Sequence, residues 1–151
     1  MKQHKDRIKV TSRSFSKHLV LRQELLELFP NSLFNTDGPP TGLPNIVEFL
    51  KDADGVILGL EEMDRHVLQQ LEHIKIIAKY GVGLDNLDVS SAEELGITIG
   101  WTGGVNKRSA SEQALGFMLG LSRNLFFSSF PLKNGKWEKE VTVANNSLII
   151  E

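Results

Sequence analysis

Two glycines that flank a single residue follow an apolar segment near the middle of the chain, at residues 76–83 (IIAKYGVG). In an open parallel sheet, ligands gather outside the carboxyl ends of the strands, where glycines let backbone N–H groups approach an anion closely. A turn formed by Gly81, Val82 and Gly83 is therefore a candidate for binding a carboxylate. The same spacing also suits a tight strand-to-helix turn that binds nothing, and spacing alone does not decide between the two.

Other residue types associated with catalysis or metal binding occur without the spacing that such sites need. None of the four histidines belongs to a His-Glu-x-x-His pattern, and each is more typical of a surface or packing position. These histidines are His4, His18, His66 and His73. Glu61 and Glu62 are adjacent, but neighbouring carboxylates point apart and are usually solvated. Because the chain has no cysteine, thiolate chemistry, disulfides and cysteine-based metal centres are excluded. We expect no metal site.

The composition narrows the class of protein. A chain of 151 residues with 40% hydrophobic content is typical of one globular domain. Its net charge of −2 provides no broad positive field, so we expect neither nucleic acid nor a membrane surface as a partner. The basic N-terminus lacks the apolar stretch of a signal peptide, and no segment approaches the ~20 apolar residues that span a bilayer. We therefore expect a cytoplasmic protein.

Short apolar segments of strand length alternate with longer segments of helical period, which is typical of a parallel βαβ architecture. We predict five parallel strands, at residues 8–11, 33–35, 55–58, 74–79 and 97–99. The first helix is predicted to begin at Ser14 or Ser16 and to stop near Pro30. The N-termini of three further helices are predicted from Pro44, from Asp64, and from Asp88, Ser90 or Ser91, and Gly96 is predicted to end the last of them.

A longer helix is predicted over residues 109–124, with a capping box of Ser109 and Glu112. Gly116 and Gly120 lie four residues apart on this helix. Each costs about 1 kcal/mol relative to alanine, so the pair favours close packing of another backbone over a tolerated accident. Beyond residue 130 the pattern weakens, and only residues 147–150 resemble a further strand.

The sequence resembles the D-isomer-specific 2-hydroxyacid dehydrogenases, the phosphoglycerate dehydrogenase-like family. The resemblance is carried by four motifs and extends firmly from Ile74 to Trp137. The motifs are KYGVGLDNLD at residues 79–88, GI at 96–97, TGGVN at 102–106 followed by SASE at 109–112, and GKW at 135–137. Together these motifs are specific, although none of them would be so alone.

The resemblance implies a flavodoxin-like or Rossmann-like α/β fold: a parallel sheet of about five strands flanked by helices, plus a long C-terminal linking helix. It also implies an N-terminal part of the substrate domain at residues 1–100 and a hinge and linking helix at 101–126. Residues 127–151 would be the incomplete start of the cofactor domain. The chain is therefore expected to stop before the cofactor fold.

Members of this family exchange a hydride between NAD and a 2-hydroxy or 2-keto acid. By resemblance, the backbone of Gly81, Val82 and Gly83 would hold the substrate carboxylate, Val82 would also lie near the nicotinamide, and Asn106 would lie at the wall of the cleft. The family's catalytic arginine, glutamate and histidine have no counterparts here, so no catalytic residue is assigned. The sequence also contains no Gly-x-Gly-x-x-Gly to cradle a dinucleotide pyrophosphate. We expect the chain alone to be inactive.

Two departures from the family bear on the substrate. Many relatives have Asn-Thr-Pro after the fifth strand, where this chain has residues 101–103 (WTG). Relatives that act on phosphorylated glycerate often have an arginine after the third strand, where this chain has residues 59–61 (GLE). Arg13 and Lys79 remain candidate anion partners, although each is more typical of a solvated surface charge.

Two hypotheses from other classes remain open. One is a non-catalytic flavodoxin-like binding or signalling module; a phospho-acceptor version is poor, because Thr11, Ser12 and Arg13 stand where acidic residues would be needed. The other is an interaction subunit. An apolar helix built to be covered from two sides would be partly bare in this chain, so we predict a homodimer through residues 107–126.

Overall fold

The computed structural model of the chain describes residues 3–37 and 45–137, and within these ranges it contains one five-stranded sheet. The strand order is β2-β1-β3-β4-β5, and every neighbouring pair is parallel. The strands are β1 (Ile8–Val10), β2 (Leu33–Phe34), β3 (Gly55–Leu58), β4 (Ile76–Lys79) and β5 (Thr98–Gly100). The five predicted strands and their parallel arrangement are confirmed, with ends that differ by one or two residues.

Five helices connect these strands: α1 (Arg13–Lys17), α2 (Leu19–Leu28), α3 (Ile46–Leu50), α4 (Arg65–Gln69) and α5 (Val89–Glu94). The predicted caps Asp64 and Asp88 are confirmed, since each carboxylate accepts the backbone N–H three residues later, at 2.8 and 3.0 Å. The Ser91 hydroxyl, followed by the Ser91 amide, lowers the pKa of the Asp88 carboxyl. Gly96 ends this segment with φ +73°, as predicted.

The predicted start of the first helix is wrong. Instead of one helix capped by Ser14 or Ser16, two short helices follow β1, and Ser12 caps the first of them by accepting from the Phe15 amide. The Ser16 hydroxyl donates to the Ser12 carbonyl inside α1 and is therefore not available as a cap. His18 caps α2, a role that the sequence does not signal because histidine is not among the preferred capping residues.

The other features of these helices follow the prediction. Helix α2 ends at Leu28, two residues before Pro30. Helix α3 buries Ile46 and Leu50, while Pro44, which was predicted to lie in its first turn, is outside the described residues.

The core lies between the sheet and the helices. Side chains from β3, β4 and the helices α3, α4 and α5 form one apolar cluster. Leu50, Leu58, Leu68 and Leu71 have no solvent exposure at all. Burying a leucine fully is worth about 1.5–3 kcal/mol relative to leaving it exposed, so this cluster is a main source of the rigidity that holds the strand ends in place.

The chain divides into two compact units, Met1–Gly103 and Gly104–Glu151. The second unit contains α6 (Lys107–Ser122) and α7 (Leu125–Lys133). The predicted capping box is wrong, because Ser109 lies inside α6 and Asn106 stands at the N-cap without a side-chain capping bond. Glu112 instead pairs with Arg108 one turn earlier, at 2.9 Å, which gives its carboxylate a cation partner.

The two helix glycines differ in their surroundings. A Cβ on Gly120 would lie 2.5 Å from the ring of Phe126 on α7, so this glycine makes room for an aromatic side chain and not for a backbone. A Cβ on Gly116 would have no atom within 4 Å in the described part of the chain. The predicted strand at 147–150 lies outside the described residues. Across the described ranges, no helix is long and apolar enough to cross a membrane.

Candidate functional site

The carboxyl ends of the parallel strands meet at one edge of the sheet in the first unit. Thr11 follows β1, Gly59 follows β3, Tyr80 follows β4 and Trp101 follows β5. Polar and glycine residues are concentrated here because the apolar strands stop at this edge and the backbone turns toward the next helix. The segments after β1, β3 and β4 line a cavity of about 460 Å³.

The Gly81–Val82–Gly83 turn is open at this edge. Gly81 has φ +154°, a conformation that L-residues rarely adopt, which explains the need for glycine. The Tyr80 amide donates to the Leu58 carbonyl at 2.9 Å and completes the pairing of β4 with β3. None of the next three amides has a hydrogen-bond acceptor among the described residues. Gly81 and Val82 are exposed and Gly83 is half-buried, so the turn is accessible to a ligand.

Lys79 and Asn86 tie the segment after β3 to the turn after β4. The Lys79 ammonium donates to the Gly59 carbonyl and to Asn86 Oδ1, each at 2.6 Å. The Asn86 amide nitrogen donates to the Glu61 carbonyl at 2.6 Å and to the Gly59 carbonyl at 3.2 Å. We name this group, Lys79 with Asn86 and the two carbonyls, the loop clamp. Partial burial lowers the pKa of Lys79, opposed by the nearby charges of Asp85 and Glu61.

The Trp101 side chain contacts both the glycine turn and Gly103 at this edge of the sheet. The Trp101 indole N–H donates to the Val82 carbonyl at 3.2 Å and so links the end of β5 to the glycine turn. A Cβ on Gly103 would lie 2.8 Å from the Trp101 ring. The departure from Asn-Thr-Pro is thus a paired change, in which the large indole occupies the space that a residue larger than glycine at position 103 would need.

A buried carboxylate lies in the wall of the cavity. The Thr11 hydroxyl donates to Glu61 Oε2 at 2.5 Å and accepts from the Gly59 amide at 2.8 Å. The side chains of Ser12, Arg13, Ser14, Lys17, Leu60 and Tyr80 complete the lining. Tyr80 is held by an edge-to-face contact with Phe15, with ring centroids 5.3 Å apart.

Several sequence-based interpretations change on this geometry. Glu61 is only 6% exposed, so the expectation that both neighbouring glutamates are solvated is wrong for Glu61 and holds for the exposed Glu62. Lys79 is part of the loop clamp and not a solvated surface charge. Arg13 is half-buried in the cavity wall. Asn106 lies in the second unit.

Sequence reasoning missed Thr11, Glu61 and Asn86 as site residues. Their hydrogen bonds join positions 25 to 50 residues apart, and no short motif encodes such pairs. Metal binding has no candidate in the part of the chain described here, where no three His, Cys, Asp or Glu side chains converge.

Comparison with known proteins gives a consistent family. The family model of the D-isomer specific 2-hydroxyacid dehydrogenase catalytic domain matches residues 15–146. A hydroxypyruvate reductase of Thermotoga maritima is 38% identical over 85 residues, which cover 56% of this chain and 28% of that protein. A D-3-phosphoglycerate dehydrogenase of Methanocaldococcus jannaschii is 34% identical over 103 residues, which cover 66% of this chain and 20% of that protein.

Solved structures agree on the fold. The TT0316 protein of Thermus thermophilus superposes with a TM-score of 0.72 at 23% identity, over 91% of this chain and 44% of that one. A cofactor (NAD+)-bound 3-phosphoglycerate dehydrogenase of Entamoeba histolytica superposes with a TM-score of 0.64 at 26% identity, over 82% of this chain and 41% of that one. This chain thus spans less than half the length of the proteins it matches. The family match covers most of its residues, and the chain belongs to the D-isomer specific 2-hydroxyacid dehydrogenase family.

Proposed function

We propose that the chain is the N-terminal, substrate-binding portion of an NAD-dependent D-2-hydroxyacid dehydrogenase, and that the turn at Gly81, Val82 and Gly83 holds the carboxylate of a 2-hydroxy or 2-keto acid. The observation that carries this proposal is the set of three consecutive amides without an acceptor among the described residues, at the carboxyl edge of a parallel sheet. Successive backbone N–H groups in a turn, when they point to one side, bind an anion.

Charges of both signs lie beside the turn, because the Asp85 carboxylate lies against Gly83 and the Lys79 ammonium offsets its charge. The Lys79 ammonium lies in the loop clamp beside the turn and adds a positive charge. Val82 presents an exposed apolar side chain, which suits the proposed contact with a nicotinamide ring. A substrate contact of Asn106 stays a prediction from the family resemblance.

The proposed cofactor is NAD, which would accept the hydride when a 2-hydroxy acid is oxidised and, as NADH, supply it when a 2-keto acid is reduced. The residues of this chain do not provide a site for the pyrophosphate of NAD, because the 151-residue sequence has no Gly-x-Gly-x-x-Gly turn. Hydride transfer also needs an acid–base group near the substrate. We therefore propose that the chain binds the acid and by itself turns nothing over. No metal is part of the proposal.

The binding proposal is tested by saturation-transfer NMR with glyoxylate, and with glycolaldehyde as the matched probe that lacks the carboxylate. We expect saturation transfer to glyoxylate and none to glycolaldehyde. The inactivity is tested by NADH oxidation with a panel of 2-keto acids. Robust turnover by this chain alone would contradict the proposal that it binds the acid without catalysing hydride transfer. Equal saturation transfer to glyoxylate and glycolaldehyde would contradict recognition of the carboxylate.

The domain boundaries stay proposals as well. Residues 1–100 would form the substrate domain, residues 101–126 the hinge and linking helix, and residues 127–151 the start of the cofactor domain. A cytoplasmic location stays a prediction from the sequence.

A homodimer through residues 107–126 is proposed on the exposure of α6. Every residue from 107 to 119 is exposed, including Leu115, Phe117 and Met118. Apolar patches of this extent favour association. The same exposure favours the second candidate function, a non-catalytic flavodoxin-like dimerisation module. The glyoxylate experiment separates the two, because a module of that kind needs no acid site.

A further inference from the structure

We infer that Glu61 determines which side group the bound acid carries: its carboxylate accepts a hydrogen bond from a neutral donor, such as a hydroxyl on the third carbon, and discriminates against acids with an anionic group at that position. This inference rests on the proposed function, since it assumes that the acid group is held by the turn at Gly81–Gly83. It adds a specificity-determining residue in the cavity beside that turn.

One oxygen of the Glu61 carboxylate is available to a ligand. Oε2 accepts from the Thr11 hydroxyl at 2.5 Å, whereas Oε1 has no donor among the described residues. Every fully buried side-chain polar atom in those same residues has a partner. Oε1 must therefore be in contact with solvent, and Glu61 reaches solvent at the cavity that it lines.

The position of this oxygen is fixed before a ligand arrives. Thr11 holds Oε2 and is itself held by the Gly59 amide, while the Glu61 carbonyl is bound by Asn86 of the loop clamp. Both ends of the residue are thus anchored to neighbouring strands. A preorganised acceptor of this kind binds a donor without the entropic cost of ordering a free side chain.

The cavity lies next to the proposed acid site along the chain. Its lining ends at Tyr80, and the next residue, Gly81, begins the glycine turn. In the binding mode that we infer, the carboxylate of the acid is held at the turn and its third carbon is directed past Tyr80 toward Glu61.

The charges at the rim do not reverse this preference. Lys17 is exposed and is screened by water and salt, and the half-buried Arg13 is screened in part. The partly buried Lys79 ammonium is already bonded to the Gly59 carbonyl and to Asn86. Glu61 is 6% exposed, and a charge at that depth acts through a lower effective dielectric. A phosphate or second carboxylate next to Oε1 would meet a like charge that solvent screens poorly.

The test compares four acids by NMR titration of the chain, following the amides of Gly81 and Gly83. The acids are glyoxylate, pyruvate, hydroxypyruvate and 3-phosphohydroxypyruvate. We expect hydroxypyruvate to bind about tenfold more tightly than pyruvate, because its hydroxyl donates a hydrogen bond to a charged group that the methyl group of pyruvate cannot make. We expect 3-phosphohydroxypyruvate to bind more weakly than hydroxypyruvate.

The variant Glu61→Gln keeps an acceptor for Thr11 and removes the charge. In this variant we expect 3-phosphohydroxypyruvate to gain affinity relative to glyoxylate, and hydroxypyruvate to lose part of its advantage over pyruvate. If the phosphorylated acid is the tightest ligand of the unmodified chain and Arg13→Gln weakens it, the rim cations govern the cavity and the inference is overturned.

Two other outcomes separate this inference from the function on which it rests. If glyoxylate shifts the Gly81 and Gly83 amides but the three larger acids bind equally, the role of Glu61 fails and the acid site stands. If none of the four acids shifts these amides, the proposed function fails and the inference fails with it.

Discussion

Glycine at position 81 is required by the backbone, and the candidate function depends on that same backbone. With φ +154°, an alanine there would be strained, and a Cβ would also lie 3.3 Å from the Lys79 side chain. We predict that Gly81→Ala lowers the free energy of unfolding by about 1–3 kcal/mol, the usual cost of such strain, and weakens glyoxylate binding. Urea unfolding and the glyoxylate titration measure the two effects.

Gly100→Ala is the matched control for this substitution. It lies at the end of β5, where a Cβ would make ordinary contacts with Ala78 at 3.7 Å. We expect a change of about 0.5 kcal/mol or less and unaltered glyoxylate binding. Equal effects of the two alanines would show that the turn at position 81 has no special conformation.

Residue roles that depend on nearby positions could be predicted from the sequence, and those that depend on distant ones could not. Asp64 and Asp88 cap helices by binding an amide three residues later, which is a local pattern. Glu61 and Asn86 acquire their roles from Thr11 and the Gly59 carbonyl, which only the folded sheet brings near. For the same reason, the sequence does not show that Glu61 is buried while the neighbouring Glu62 is exposed.

At the scale of elements, the loop clamp connects two strand ends that carry the candidate site. Asn86 makes three side-chain hydrogen bonds, to Lys79 and to the carbonyls of Gly59 and Glu61. We predict that Asn86→Ala lowers the free energy of unfolding by about 2–3 kcal/mol, because each bond contributes about 1 kcal/mol and the partly buried Lys79 ammonium loses an acceptor. The shift in the urea midpoint at unchanged slope measures it.

Asn31→Ala provides the control for the clamp. Asn31 is exposed and makes one side-chain hydrogen bond, to the Lys5 carbonyl at 3.3 Å. Its loss should cost about 0.5 kcal/mol or less. If Asn86→Ala costs no more than Asn31→Ala, the clamp does not stabilise the strand ends.

The elements themselves were largely predictable, and the exceptions have physical causes. All five strands follow from short apolar segments between helical ones, since a buried parallel strand is apolar on both faces. The helix start at Ser12 was missed because Ser12, Ser14 and Ser16 offer equivalent caps, and the start at His18 because histidine is not among the preferred capping residues. The predicted capping box fails because α6 begins at Lys107, which places Ser109 inside the helix.

At the scale of the whole molecule, the chain spans less than half the length of the relatives and solved structures compared with it. Family membership could be predicted because the motifs at 79–88 and 102–112 lie within this chain. The substrate preference that we infer could not, because it rests on how Glu61, Arg13 and Lys17 are arranged around one cavity.

The predicted homodimer belongs to this scale. Met118 on α6 is 67% exposed. If residues 107–126 form the interface, Met118→Glu should abolish association, because it places a charge in the apolar contact between the two copies. Val20→Glu, at a position of α2 that is 57% exposed, is the matched control and should leave the dimer intact. Sedimentation velocity at micromolar concentration distinguishes the species. A monomeric unmodified chain, or dissociation by Val20→Glu alone, would contradict the prediction.

Acid recognition by three backbone amides is the central claim, and an amide-resolved titration tests it most directly. Glyoxylate is added to the 15N-labelled chain, and the amide signals of Gly81, Val82 and Gly83 are followed. The signals of Gly55 and Gly96, at the amino ends of β3 and β5 and so at the opposite edge of the sheet, serve as references. We predict saturable shifts of the three turn amides with one common dissociation constant, while the two reference glycines stay unchanged. Saturable shifts elsewhere with the three turn amides unmoved would contradict it.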